Sequence, residues 1–96
     1  MTSKAAILAA SIADAVSAVP GVQRLTAGNA IEAATQYPGG KVVGVRLDET
    51  VQIHLVAKRV PLPPVAAGAA RAARSVLAEA GDDRPVEVFI DDIEGV

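Results

Sequence analysis

The stretch from Val51 to Asp91 constrains this chain's fold more than any other. It reads as a strand (VQIHLVAKR), a proline-stiffened corner (VPLPP), an alanine-rich helix (VAAGAARAARSVLAEA) and a second strand (PVEVFID). A strand, a helix of about four turns and another strand make a βαβ crossover, whose two strands lie parallel in one sheet. The helix opens at Pro63 or Pro64, because first-turn prolines forfeit only amides that lack helical partners anyway. Val65, Ala69, Ala73, Val76, Leu77 and Ala80 form its apolar stripe, with Arg71, Arg74, Ser75 and Glu79 pointing outward and Gly81 as the stop.

Upstream, Thr2 or Ser3 caps a helix that runs to about Ala18. Leu8, Ile12, Ala15, Val16 and Val19 fall on one helical stripe, and Pro20-Gly21 ends it. Val22 and Leu25 are expected beneath the sheet as the chain reverses. Within 26–40, Thr35-Gln36-Tyr37 before Pro38-Gly39-Gly40 reads as a short edge strand entering a turn. KVVGVRL then places Val43, Val45 and Leu47 on one face and Val42, Gly44 and Arg46 on the other. A three-residue loop, Asp48-Glu49-Thr50, pairs Leu47 with Val51, Val45 with Ile53 and Val43 with Leu55. A two-residue loop would set apolar residues against polar ones, so the odd loop is expected. In the last strand Val86, Val88 and Ile90 face one way, and Glu87, Phe89 and Asp91 the other. The expected fold is a single α+β domain over residues 1–96. It is a two-layer sandwich, α-β-β-β-α-β, with two helices on one face of a three- to four-stranded mixed sheet.

Half the residues are hydrophobic, mostly Ala and Val, so the core is built of small and β-branched side chains. Residues 1–78 carry eight Lys/Arg and four Asp/Glu, a net +4, whereas residues 79–96 carry seven Asp/Glu and Arg84, a net −6. The absence of cysteine excludes disulfides, thiolate zinc sites and a cysteine nucleophile. The N-terminal run resembles a signal peptide only superficially, since Ser11 and Asp14 interrupt it; a domain helix is expected there. No run approaches the length of a membrane span.

The chemistry readable from residue types is sparse. His54 is the only histidine; with no second His or Cys beside it and no nucleophile at a readable spacing, it is expected to be a surface residue. Asp82, Asp83, Asp91, Asp92 and Glu94 match no EF-hand spacing and read as a solvated acidic rim. Lys58, Arg59, Arg71 and Arg74 form a candidate basic corner, the basis of an alternative reading as a KH-like nucleic-acid-binding module. GVQR after the first helix lacks the second Gly of a GxxG clamp, and few aromatic rings are available for stacking, so nucleic acid is disfavoured. No catalytic, cofactor-binding or metal-binding residues are assigned, and no cofactor or enzymatic activity is expected.

Several motifs in this order carry a resemblance. VPGV at Val19–Val22, the valine-rich hairpin over Lys41–Lys58, the proline-initiated helix over Pro61–Gly81 and the closing V-E-V-F-I at Val86–Ile90 resemble the bacterial alkaline shock protein family. Two departures stand out: AKRVPLPP before the helix, and no extended charged C-terminal tail. The resemblance implies a non-enzymatic scaffold in cell-envelope stress response and homeostasis that self-associates. Its implied location is cytoplasmic, with membrane association through a partner, and its implied partners are itself and a small integral-membrane protein or paralogous domains. Self-association is expected through the sheet face opposite the helices, with Val42, Arg46, His54, Val56 and Phe89 as the interface. Phe89, the only Phe, lies by parity outside the aliphatic core and is its expected anchor.

Overall fold

The computed structural model describes residues 3–28, 33–37 and 40–95. Its elements are α1 (Lys4–Ser17), β1 (Val22–Leu25), β2 (Ala34–Tyr37), β3 (Gly40–Val43), β4 (Val45–Leu47), β5 (Val51–Lys58), α2 (Leu62–Glu79) and β6 (Val86–Glu94). The fold is α+β, as the sequence implies. Five strands, rather than three, separate the two helices.

β5 is the centre. β6 pairs with it in parallel along one edge, completing the βαβ crossover. β4 and β1 share the other edge, both antiparallel: β4 lies beside Val51–Ile53 and β1 beside Leu55–Ala57. His54 is the handover point. Its N–H donates to the Gly44 carbonyl at 2.9 Å, and its carbonyl accepts from the Thr26 N–H at 3.0 Å. One face of β5, made by Val51, Ile53, Leu55 and Ala57, is wholly buried. It joins Ala9, Ile12 and Val16 of α1 and Val65, Ala69, Ala73 and Leu77 of α2 in a single core cluster, so both helices cover the same face. Alanine at the contact positions lets the helix backbones come close to the sheet.

Ser3 caps α1, its Oγ accepting from the Ala6 N–H at 3.0 Å; the alternative cap, Thr2, lies outside the described residues. α2 begins with Pro61 as its cap and prolines in its first turn. It ends at Gly81, where left-handed φ (+71°) lets the Asp82 N–H reach back to the Leu77 carbonyl. Of the expected α2 stripe, Ala80 is exposed, and Ala70 is buried in addition.

Two sequence expectations need correction. Val22 and Leu25 do not tuck beneath the sheet but lie in β1, a strand of it; Val22 stands opposite Ala57, and the register slips before Arg24. The hairpin register holds only as far as Gly44. Leu47 pairs with Val51 and Val45 with Ile53 across the three-residue loop, but Val43 pairs with Ala34 of β2, and Leu55 pairs with Leu25. Gly44 causes the break. At φ +90° it turns the chain out of the main sheet into a separate two-stranded sheet of β2 and β3. The turn also exchanges the faces: Val42 packs against the core, and Val43 is exposed. The expected strand near Thr35–Tyr37 is β2; Pro38-Gly39 of the expected turn lies outside the described residues.

A Cβ at Gly44 would stand 2.6 Å from Leu25 Cβ and 3.1 Å from the His54 carbonyl oxygen, whereas one at Gly81 would meet nothing. Gly81→Ala should therefore cost only left-handed strain, about 1–2 kcal/mol. Gly44→Ala should cost that plus about 1–3 kcal/mol of overpacking. Urea melts of the two variants check this, and equal losses would show that crowding does not fix the kink.

Candidate functional site

The face of the sheet away from the helices is the candidate site. It begins with the alternation of β5, which turns Gln52, His54, Val56 and Lys58 away from the core. Opposite them on β6 stand Glu87, Phe89, Asp92 and Glu94, and on the other edge Arg46 and Arg24. The match to β6 depends on a bulge. Leu55 pairs with Ile90 but Val56 pairs with Asp92, leaving Asp91 as the extra residue. Without it, Asp92 would share the inward parity of Ile90. The bulge keeps every β6 carboxylate out of the core and aims Asp91 at His54.

At the centre, His54 Nδ1 lies 2.8 Å from Asp91 Oδ2, with the side chains only 18% and 16% exposed. A carboxylate only accepts, so Nδ1 carries a proton toward Asp91. The imidazole stacks on Phe89, with centroids 4.6 Å apart and planes 13° from parallel. His54 is therefore not the plain surface residue expected of it. Two contacts, across the register and across the bulge, fix its ring. The arrangement can hold and orient a proton. Phe89 across the register, and Gln52 and Val56 on the same face of β5, carry no hydroxyl or thiol.

Next to this cluster an ion pair crosses the face. Arg24 on β1 reaches over β5 to Glu94 on β6, with Nη2 to Oε2 at 2.9 Å and Nε to Oε1 at 3.4 Å. Val56 lies in register with Arg24 and is only 2% exposed, although no helix covers it. The Arg24 side chain crosses β5 near this level on its way to Glu94. Of the five expected interface residues, the structure brings His54, Val56 and Phe89 together. Arg46 is on the same face but at its edge, paired with Asp48 at 2.7 Å. Val42 is not on it, because the Gly44 kink turns it to the core. The sequence reading missed Arg24, Asp91 and Glu94 as parts of this face.

The basic corner does not assemble. Lys58 and Arg59 lie where β5 ends, whereas Arg74 stands roughly 18 Å further along α2 at about 1.5 Å per residue. There it lines a depression with Gly81, Asp82 and Asp83. The acidic rim is partly paired: Arg84 binds Asp82 with three side-chain contacts of 2.6–3.1 Å and donates to the Asp48 carbonyl, tying the α2–β6 loop to the β4–β5 loop. Among the described residues, no group of three His, Cys, Asp or Glu could hold a metal ion. No helix among them is long and apolar enough to cross a membrane. A groove of about 640 Å³ between the start of α1 and the end of α2 is lined by Ile7, Leu8 and Val76 with Lys4, Glu79 and Arg84. It gathers no convergent polar set.

If Asp91 and His54 act as a unit, a double-mutant cycle of His54→Ala and Asp91→Ala should give a coupling of about 0.5–3 kcal/mol. Asp83→Ala, at an exposed position, should stay within about 0.5 kcal/mol of the parent. Additive losses would mean the pair is incidental.

Arg84's side-chain hydrogen bonds, then its backbone N–H, hold the Asp82 carboxyl below its usual value. A depressed carboxyl contributes stability above its unfolded pKa and loses it as pH falls through the folded one. The stability gap between the parent and Asp82→Asn should thus be widest near neutrality and close below about pH 4. Denaturant melts across that range measure it, and a constant gap would contradict the pairing. No family model, curated protein or solved structure matches this chain, so the open face has to be read from its own chemistry.

Proposed function

We propose that the domain works by protein–protein contact, associating with a second copy through its open sheet face, as a scaffold in cell-envelope homeostasis. The setting is the one implied by the resemblance to the alkaline shock proteins, which also implies a membrane-associated or paralogous partner. The observation that carries the self-association is the charge segregation of the face. Arg24 and Arg46 line one side, held by Glu94 and Asp48 of their own chain. Glu87 and Asp92 on the other side are exposed without an ion pair among the described residues, and His54 and Phe89 lie between. A twofold axis along β5 lays the basic side of one copy on the acidic side of its partner, an isologous and self-complementary arrangement. Phe89 then serves as the central anchor, with polar groups around it. The scattered cations on α2 and at the end of β5 favour this over nucleic-acid binding, which needs a continuous basic track.

Phe89→Ser should reduce the oligomer to monomer, with the far-UV circular dichroism of the parent retained. Arg46→Glu should do the same. Adding Glu87→Arg should restore association by exchanging the charges, because Glu87 stands across Gln52 from Arg46 and does not touch it within one copy. Light scattering at tens of micromolar decides it. A monomeric parent, or a charge-swapped pair that fails to reassociate while remaining folded, removes the idea.

A further inference from the structure

The two edges of the sheet end differently. On the β4 side, the Ala33 carbonyl accepts the Gly44 N–H at 2.7 Å, and Thr35 Oγ1 donates to the Val45 carbonyl at 2.8 Å. β4 is covered there, and β1 beside it is only four residues long with a break in register before Arg24. On the other side β6 pairs with β5 alone among the described residues, and its outer edge has no neighbour.

The phase of the ladder shows which groups that edge presents. The Val51 N–H donates to the Pro85 carbonyl at 2.8 Å, and Val51 stands opposite Val86. In a parallel pair this phasing turns the backbone groups of Glu87 and Phe89 toward β5. Those of Val86, Val88 and Ile90 point outward, an alternating row of donors and acceptors that can template another strand. The side chains of the same three residues are half-buried against the core on the helix face. Those of Glu87 and Asp92 are exposed on the open face and form no ion pair with other described residues.

We infer that the β6 edge receives an extended segment of another protein by strand addition, one that alternates apolar and cationic residues. The backbone row supplies the affinity. Apolar side chains of the segment continue the layer of Val86, Val88 and Ile90, and its Lys or Arg side chains meet Glu87 and Asp92. Charge decides against a second copy here: antiparallel pairing of two β6 strands sets the carboxylates of VEVFIDDIE against one another. The backbone row lies apart from the open face. Although Glu87 and Asp92 also belong to the acidic side of that face, the inference does not rest on self-association; Val88→Pro, which alters neither carboxylate, separates the two.

The test uses the intact chain and a labelled, acetylated peptide alternating valine and lysine, with a valine–glutamate peptide as its counterpart. Fluorescence anisotropy should show salt-sensitive binding of the first and none of the second. Amide exchange by NMR should protect Val86, Val88 and Ile90 only in the complex, while Glu87 and Phe89 are protected throughout. Val88→Pro removes an outward amide and leaves the β5 ladder whole, so it should abolish binding in a folded protein. Should that variant fail to fold, the paired change Glu87→Lys and Asp92→Lys, at exposed positions, should weaken the lysine peptide by about tenfold or more. Absence of binding at millimolar peptide, binding indifferent to peptide charge, or protection elsewhere than on β6 overturns the inference. A parent dimer that Val88→Pro dissociates also overturns it, by giving the edge to a second copy.

Discussion

The burial of β5 is the constraint on which the other elements depend. Both its edges are bonded and its inner face is closed by two helices, so Val51, Ile53, Leu55 and Ala57 lose all contact with water. Burying such side chains is worth about 1.5–3 kcal/mol each for the larger ones. That gain is available only if every neighbour is in place. α1 and α2 contribute small residues because they must approach this face closely, and β1 and β4 divide one edge because neither is long enough to cover it alone. His54 stands at their junction, and its backbone bonds to both sides of the gap. The most polar residue in the middle of β5 is thus also the most constrained, with its backbone fixed by two segments and its ring by Phe89 and Asp91.

Much of this was legible in the residues, where a period or a stop was strong. The βαβ unit follows from two apolar alternations flanking a 3.6-residue stripe, and the three-residue hairpin loop from the requirement that Leu47 and Val45 meet Val51 and Ile53. The features that were not legible depend on single residues that break a period. Gly44 looked like an ordinary member of the outer face, yet its positive φ redirects the strand and inverts the roles of Val42 and Val43. Asp91 continued a perfect alternation on paper. Only the pairing with β5 reveals it as a bulge, and with it the partner of His54. β1 escaped notice because its four residues include Gln23 and Arg24 side by side, which hides the alternation that a strand would show.

The candidate face was half legible for the same reason. Parity alone placed His54, Val56 and Phe89 together, since it needs no knowledge of neighbours. The charges that give the face its two sides come from Arg24 and from the β6 carboxylates, seventy residues apart in the chain. Such a pairing leaves no local trace in a sequence. The basic corner failed by the opposite error: Lys58 and Arg59 stand where β5 ends, and the rise of α2 carries Arg74 away from them.

The Arg24–Glu94 tie has a consequence for how the molecule comes to exist. It joins the first strand to the last across the central one, so the sheet closes only when β6 has been made. During synthesis the chain holds the hydrophobic β5 with one edge open while residues 59–85 are added. Parallel pairing over such a separation is slow, because the loop must be closed before any contact compensates for its entropy. In that interval α1, β1 and β4 are already made and can cover part of β5, and α2 completes the cover of its inner face before the final strand arrives. Sequence separation thus favours local helix before parallel strand, with β6 the last strand the chain can supply.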